Sequence, residues 1–296
     1  MMPICSVEEK VEDDYIRGGQ ALMLELPSIG FGTADLGDGT EEAVFTALCN
    51  GYRLIDTARA YDSEAAVGKA LNRVYKENGS KRSDYIIQTK LSPSVSGYDE
   101  TLADFEQSLE SLNTEYVDVY FIHWPVIRGN EKTYHKKNVE TWKAFEKLYG
   151  AKKVKRLGVC NFLERHLADI WDNCNVRPTV HQLEIHPGYQ QIGLVEYSQK
   201  LGMKIEAWSP MGRGELKNRT YIDMADRYGC NIGQLALKWS LQKGYIPLSR
   251  SQTKDHIINN KILDFTIAKE DMNKIDELNT NTNYLNIWSY KRQQMY

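Results

Sequence analysis

The chain has 296 residues, 42% hydrophobic and 26% charged, with a formal net charge of -3. That length fits one large domain or two ordinary ones, and the composition excludes a disordered or fibrous chain. A charge so close to zero gives no reason to expect nucleic acid or an anionic membrane as partner, and no run of the sequence reaches the roughly 18 apolar residues of a membrane span.

The first stretch, "MMPICSVEEKVEDDY", is acidic and lacks an apolar segment, so it predicts no signal peptide and a cytoplasmic protein. Residues 1–14 are read as an N-terminal extension, and residues 15–26, "YIRGGQALMLEL", as a hairpin turning at Gly18 and Gly19. Short apolar runs then alternate with amphipathic stretches. The runs are 28–33, 53–58, 85–90, 117–124, 154–162, 179–187, 204–211 and 245–250, most of them rich in β-branched and aromatic residues, as buried strands are. Between them, "SEAAVGKALNRVYKEN" keeps Ala66, Val67, Ala70, Leu71 and Val74 at helical spacing, with Ser63 placed to cap its start. "GYDETLADFEQSLESLN" repeats the pattern, and Gly150 and Gly202 stand where two further helices should stop. Residues 269–279 read as one more helix, and 280–296 as a tail carrying Tyr284, Trp288, Tyr290 and Tyr296. The five cysteines, Cys5, Cys49, Cys160, Cys174 and Cys230, are odd in number and widely spaced; they predict reduced thiols and no zinc site.

Eight strand-then-helix units at intervals of roughly 25–35 residues leave two fold classes. A doubly wound sheet usually carries a glycine-rich phosphate loop after its first strand, and neither G-x-G-x-x-G nor G-x-x-x-x-G-K-[ST] occurs. The pattern therefore favours an α/β fold of the (β/α)8 TIM-barrel type, a single domain over 1–296, with the hairpin closing its bottom and the helix and tail following.

Catalysis in such a barrel sits at the C-terminal ends of the strands. There the sequence places Asp56, with Tyr61 on the loop beyond, then Lys90, His123 and Trp124, Cys160 and Asn161, Gln182 and Glu184, Trp208 and Ser209, and Ser249 and Arg250. Each has a plainer reading: Asp56 as a cap, Lys90 as a solvated charge, His123 as a core histidine, Tyr61 as packing. Converging on one mouth, they suit a definite task. A phenol with a pKa near 10 is a poor acid at neutral pH, and a nearby ammonium lowers that pKa. Lys90 supplies the charge, Asp56 compensates and holds it, and His123 can hydrogen-bond a substrate oxygen or the tyrosine. The set suits protonation of a carbonyl oxygen as it becomes an alkoxide. It supplies no reductant, so a hydride donor must be a cofactor.

These residues, with "GFGT", "RLIDTARAYDSEAAVG", "IIQTKL", "FIHWP", "LGVCNF", "HQLEIHP" and "AWSPMGRG" in this order, resemble the aldo-keto reductase family over nearly the whole chain. The resemblance implies a monomeric, metal-free barrel that reduces a small aldehyde or ketone by direct hydride transfer, with Tyr61 as general acid assisted by Lys90, Asp56 and His123. It implies that Asn161 and Gln182 bind the nicotinamide carboxamide, with Cys160 where serine is common. Trp208 would stack on the ring, Ser209, Met211, Gly212 and Arg213 would follow the pyrophosphate, Thr33 would lie near the nicotinamide ribose, and Asp56 also belongs to the cofactor set. Ser249, Arg250, His256 and Asn260 complete the cofactor set, and Leu36, Trp124 and Trp288 the substrate pocket. Where many members carry a lysine for the 2′-phosphate of NADPH, this chain has Leu248; Arg250, Lys254 and His256 are candidate replacements. NADPH is the favoured cofactor, with NADH use left open. The short loop after strand seven implies an open pyrophosphate cleft. Two rival readings are a Schiff-base lyase working through Lys90 and a cofactor-binding regulatory subunit with little catalysis.

Overall fold

The computed structural model describes residues 25–214, 216–281 and 283. Its strands are β1 (Gly30–Gly32), β2 (Leu54–Asp56), β3 (Ile86–Lys90), β4 (Val117–Ile122), β5 (Val154–Cys160), β6 (Val180–Glu184), β7 (Lys204–Trp208) and β8 (Ile246–Ser249). They pair in chain order, all parallel, and β8 returns to β1 to close an eight-stranded barrel. The helices between them are α1 (Thr40–Cys49), α2 (Glu64–Asn78), α3 (Tyr98–Leu112), α4 (Tyr134–Gly150), α5 (Glu164–Trp171) and α6 (Ile192–Lys200). Two helices, α7 (Arg219–Arg227) and α8 (Ile232–Gln242), separate β7 from β8, and α9 (Lys254–Asn259) and α10 (Lys269–Asp276) follow. The expected (β/α)8 architecture is thus present. None of the helices among the described residues is long and apolar enough to cross a membrane.

Side chains of a strand alternate in direction, so each barrel strand feeds two cores. Leu54, Ile86, Val119, Phe121, Cys160, Val180, Ile246 and Leu248 form an apolar plug inside the barrel. Their neighbours along the strands, such as Ile55, Ile87, Tyr120 and Val159, pack outward against the helices. Gly158 is required at its place in β5. A Cβ there would lie 2.4 Å from a ring carbon of Phe121, so only glycine leaves room for that ring. Leu26 packs against the plug; the rest of the expected hairpin, 15–24, lies outside the described residues, as do the extension 1–14, Trp288 and the tail from 284.

The strands are shorter than their apolar runs. β1 keeps three residues of the six expected, and β7 stops at Trp208 because Ser209 takes a left-handed backbone, φ 50°. Asn161 ends β5 in the same way, φ 60°. Gly202 behaves as expected after α6, with φ 79°. Gly150 does not: it stays helical, and the left-handed residue that ends that segment is Lys152. Ser63 precedes α2 without capping it, because its hydroxyl is committed to Thr33 (2.9 Å) and Thr57 (2.8 Å).

The amphipathic faces pack as their spacing predicts. Val67, Ala70, Leu71 and Val74 of α2 are buried, as are Phe105, Leu109 and Leu112 of α3. Gly68 lies tight against the backbone at the end of α3. A Cβ at this position would meet the Leu112 carbonyl oxygen at 2.7 Å. Backbone cannot yield as a side chain can, so Gly68→Ala should lose roughly 1–3 kcal/mol despite alanine's better helix propensity. Urea denaturation checks this, and a variant as stable as the parent would mean that the helices can part freely.

Candidate active site

Asp56 ends β2 and Lys90 ends β3. The register pairs Asp56 with Gln88, so Lys90 stands two residues further along β3, on the same face as Gln88. The Lys90 ammonium, fully buried, donates to both Asp56 carboxylate oxygens (2.7 and 2.8 Å) and to the Thr57 carbonyl (3.0 Å). The buried charges thus compensate one another. Burial depresses the lysine's pKa, but the Asp56 carboxylate, together with Tyr61, Cys160 and the hydrogen bond to Asp56, more than offsets it and holds that pKa above the usual value. The Asp56 Oδ1 atom also accepts from the side-chain amides of Gln88 and Gln182, both at 2.9 Å.

Tyr61 sits on a helical turn, Arg59–Tyr61, just beyond β2. Arg59 anchors that turn through Glu64 (3.3 Å), Gln107 (2.8 Å) and Asp104 (3.5 Å). Glu64 in turn accepts from the Thr89 hydroxyl at 2.6 Å, which ties the turn to β3. So held, the Tyr61 ring has the Lys90 ammonium 4.8 Å from its centroid and the His123 ring edge-on at 5.6 Å. Burial pushes the phenol's pKa up to about 12, and the Lys90 charge pulls against that without reversing it. The phenol is thus protonated across the neutral range, with a cation adjacent to stabilise the phenolate once the proton leaves.

His123 follows β4. Burial first, then the Lys90 charge, hold its pKa well below the ordinary value, so the imidazole is neutral. Its Nδ1 is buried and has no hydrogen-bond partner among the described residues. The His123 carbonyl accepts from the Asn161 amide (3.1 Å), and the oxygen of that amide accepts from the indole N–H of Trp208 (3.0 Å). Left-handed Asn161 can therefore lock both the loop after β4 and the plane of Trp208.

A cleft of about 790 Å³ opens over these groups. Its wall contains Asp56, Tyr61, His123, Trp124, Asn161, Gln182 and Trp208, and also Ser209, Met211, Arg213, Leu248 and Arg250. Backbone at Ser209, Gly212, Arg213 and Gly214 takes positive φ, in tight turns closed by the Gly212 and Gly214 N–H groups on the Ser209 and Met211 carbonyls. Arg213 and Arg250 both reach Asp35, at 3.4 and 3.0 Å. A flat indole pinned in orientation, acid-base groups beside it and two guanidinium groups in the same wall fit a dinucleotide that carries a flat heterocycle and phosphates.

Several predicted residues do not reach this wall. Thr33 is buried behind it, its hydroxyl donated to the Asp56 carbonyl at 3.0 Å. Ser249 is buried against the Tyr52 hydroxyl at 3.0 Å. Cys160 and Asn260 are buried, Gly212 is absent from the lining, and His256 is exposed on α9. Leu36 packs into the outer core and is absent from the cleft lining, although Ala34 and Asp35 beside it in sequence are part of it. Sequence reasoning missed Gln88, Glu206 and Asp35. The first two had a signal: a polar residue in the middle of "YIIQTK" and of "KIEAWSPM", at inward-facing positions. Among the described residues no group of three or more His, Cys, Asp or Glu side chains is arranged to hold a metal ion.

Known proteins share this sequence pattern and this fold. The sequence pattern of the Aldo/keto reductase family matches residues 28–280. An uncharacterized oxidoreductase of Bacillus subtilis is 40% identical over 263 residues, covering 87% of this chain and 91% of that protein. The 9,11-endoperoxide prostaglandin H2 reductase of Trypanosoma cruzi is also 40% identical, covering 86% and 89%, and the glyoxal reductase of Bacillus subtilis is 39% identical, covering 86% and 90%. Among solved structures, an aldo-keto reductase from a Medee basin deep-sea metagenome library superposes with a TM-score of 0.80 at 34% identity, covering 89% of this chain and 96% of the other. A Bombyx mori aldo-keto reductase in complex with NADP superposes with a TM-score of 0.82 at 28% identity, covering 90% and 93%. With its closed barrel and its cleft at the strand ends, this chain belongs to the aldo/keto reductase family of oxidoreductases.

Proposed function

We propose that the protein reduces a small aldehyde or ketone to the alcohol, with NADPH as reductant and Tyr61 as proton donor. The observation that carries this reading is the contact of a protonated phenol with a buried ammonium and a neutral imidazole at one cleft. When bound, the reduced nicotinamide supplies a hydride to the carbonyl carbon. As the carbonyl oxygen gains negative charge, the Tyr61 hydroxyl delivers its proton there, and the O–H bond electrons stay on the phenolate. Lys90 stabilises that phenolate, and Asp56 keeps Lys90 charged and in place. Neutral His123 offers one N–H to the substrate oxygen without competing as an acid. Solvent then returns a proton to Tyr61.

Trp208 and Asn161 orient the nicotinamide, and Gln182 lies within the same wall. Trp124, with Ile127 and Tyr189 behind it, makes an apolar wall that favours an apolar or planar carbonyl compound. Lys90, its pKa held above the usual value beside Asp56, stays an ammonium with no free electron pair, which weighs against a Schiff base.

Preference for NADPH is supported by Arg250 and Arg213, whose forked donors match a phosphate. Asp35 holds both in advance of any ligand. A panel of carbonyl compounds, followed at the nicotinamide absorbance with NADPH and with NADH, tests the activity and separates it from a regulatory subunit, which would show none. Arg250→Ala should weaken NADPH binding by about tenfold and NADH binding much less. Equal losses would mean that Arg250 does not read the 2′-phosphate.

A further inference from the structure

Below the cleft floor lies a second carboxyl group. Glu206, in the middle of β7, is fully buried and absent from the cleft wall. Its Oε2 accepts from the amide nitrogens of Gln88 and Gln182, both at 2.8 Å. Those same two nitrogens donate to Asp56 Oδ1. Each amide carries two N–H bonds, so each gives one to Asp56 and one to Glu206. Two carboxyl groups are thus bridged twice, and the bridge ends on the aspartate that holds Lys90. Glu206 Oε1 is buried with no partner among the described residues, so a proton placed on it breaks no hydrogen bond.

We propose that Glu206 is a positioning residue for the reduction, whose ionisation state sets how strongly the Asp56–Lys90 pair can stabilise the Tyr61 phenolate. The inference rests on the reading of Tyr61 as proton donor. With Glu206 protonated, Asp56, Lys90 and Glu206 sum to zero charge. Ionised Glu206 adds a buried negative charge two hydrogen bonds from Asp56, and that charge opposes a developing phenolate. Burial, reinforced by the Asp56 carboxylate, raises the glutamate's pKa to about 7 against the pull of the two amides and Lys90.

The groups around Glu206 narrow the source of such an effect. β2 contributes Asp56, β3 contributes Gln88 and Lys90, and β6 contributes Gln182, its register partner. Cys160 of β5 is held neutral by burial, its pKa raised well above the ordinary thiol value. Glu184, two residues beyond Gln182, lies against His186 at 3.5 Å. The partner on β8 is Ile246, and β4 places Phe121 in the barrel interior, so neither strand adds a charge there.

The test is kcat/KM for carbonyl reduction with saturating NADPH, from about pH 5.5 to about pH 9, for the parent, Glu206→Gln and Glu206→Asp. The parent should fall by about fivefold through an inflection near neutrality, Glu206→Gln should lack that inflection, and Glu206→Asp should keep it. A Glu206→Gln profile with the parent's inflection overturns the proposal. Should Glu206→Gln fail to fold, the parent decides alone: with 13C-carboxyl-labelled glutamate, no carboxyl titrating between about pH 6 and about pH 8 overturns it. Reduction absent at every pH would sink the proton-donor reading instead, whereas reduction with an unaltered profile sinks only the role of Glu206.

Discussion

Tyr61→Phe should lower carbonyl reduction by about a thousandfold, within the 10²–10⁴ range of a positioned general acid, while cofactor binding stays nearly unchanged. The substitution removes one oxygen. It leaves the ring that faces Lys90 at 4.8 Å and His123 at 5.6 Å, and the turn anchored by Arg59 does not depend on the hydroxyl. No described group takes its place readily. Neutral His123 would have to give up a proton from an uncharged imidazole, and Lys90, its pKa held above the usual value beside Asp56, would be a weaker acid still than a free lysine. Steady-state kinetics with a fluorescence titration of NADPH separates chemistry from binding. A variant reducing carbonyls at the full rate would remove Tyr61 from the mechanism.

Lys90→Met should cost about 3–5 kcal/mol of stability, the range for breaking a buried pair from one side. Methionine fills most of the lysine's volume, so the loss reports charge more than packing. Asp56, 4% exposed, would keep only the two amide donors for a full negative charge. Its carboxyl would then bind a proton more tightly in the folded state than in the unfolded one. A group with its folded pKa raised stabilises the folded form toward acid, so the variant's deficit should shrink as pH falls toward the carboxylate range. Adding Asp56→Asn to Lys90→Met should recover part of the loss at neutral pH. Urea denaturation at two pH values measures all of this, and a single-variant loss below about 1 kcal/mol would show that the pair is not stabilised as described.

Much of this site was legible in the linear sequence. Asp56, Lys90, His123, Asn161, Trp208 and Arg250 could be placed at successive strand ends because a strand betrays itself locally, through a short apolar run followed by a polar residue. Eight such runs at regular spacing imply a closed barrel, and a closed barrel brings its strand ends to one mouth. That Tyr61 would join Asp56 followed from their separation by one loop. Boundaries read less well: Ser63 looked like a cap by position, yet its hydroxyl answers to Thr33, thirty residues back in the chain.

What the sequence by itself determined is the order of strands, the inventory of polar groups at their ends and hence the reaction class those groups suit. Tertiary structure decided which of those groups share a surface. Thr33, Ser249 and Leu36 turned away from the cleft because hydrogen bonds or packing on the outer side of the strands claimed them. Asp35 met Arg213 and Arg250, and Glu206 met Asp56 through two amides, across separations of 118 to 215 residues on the contacting pairs Gln88–Glu206 and Arg250–Asp35. Alternation along one strand tells which face a side chain takes, but its partner across the barrel depends on where closure and stagger put the opposite strand. No local pattern carries that distance.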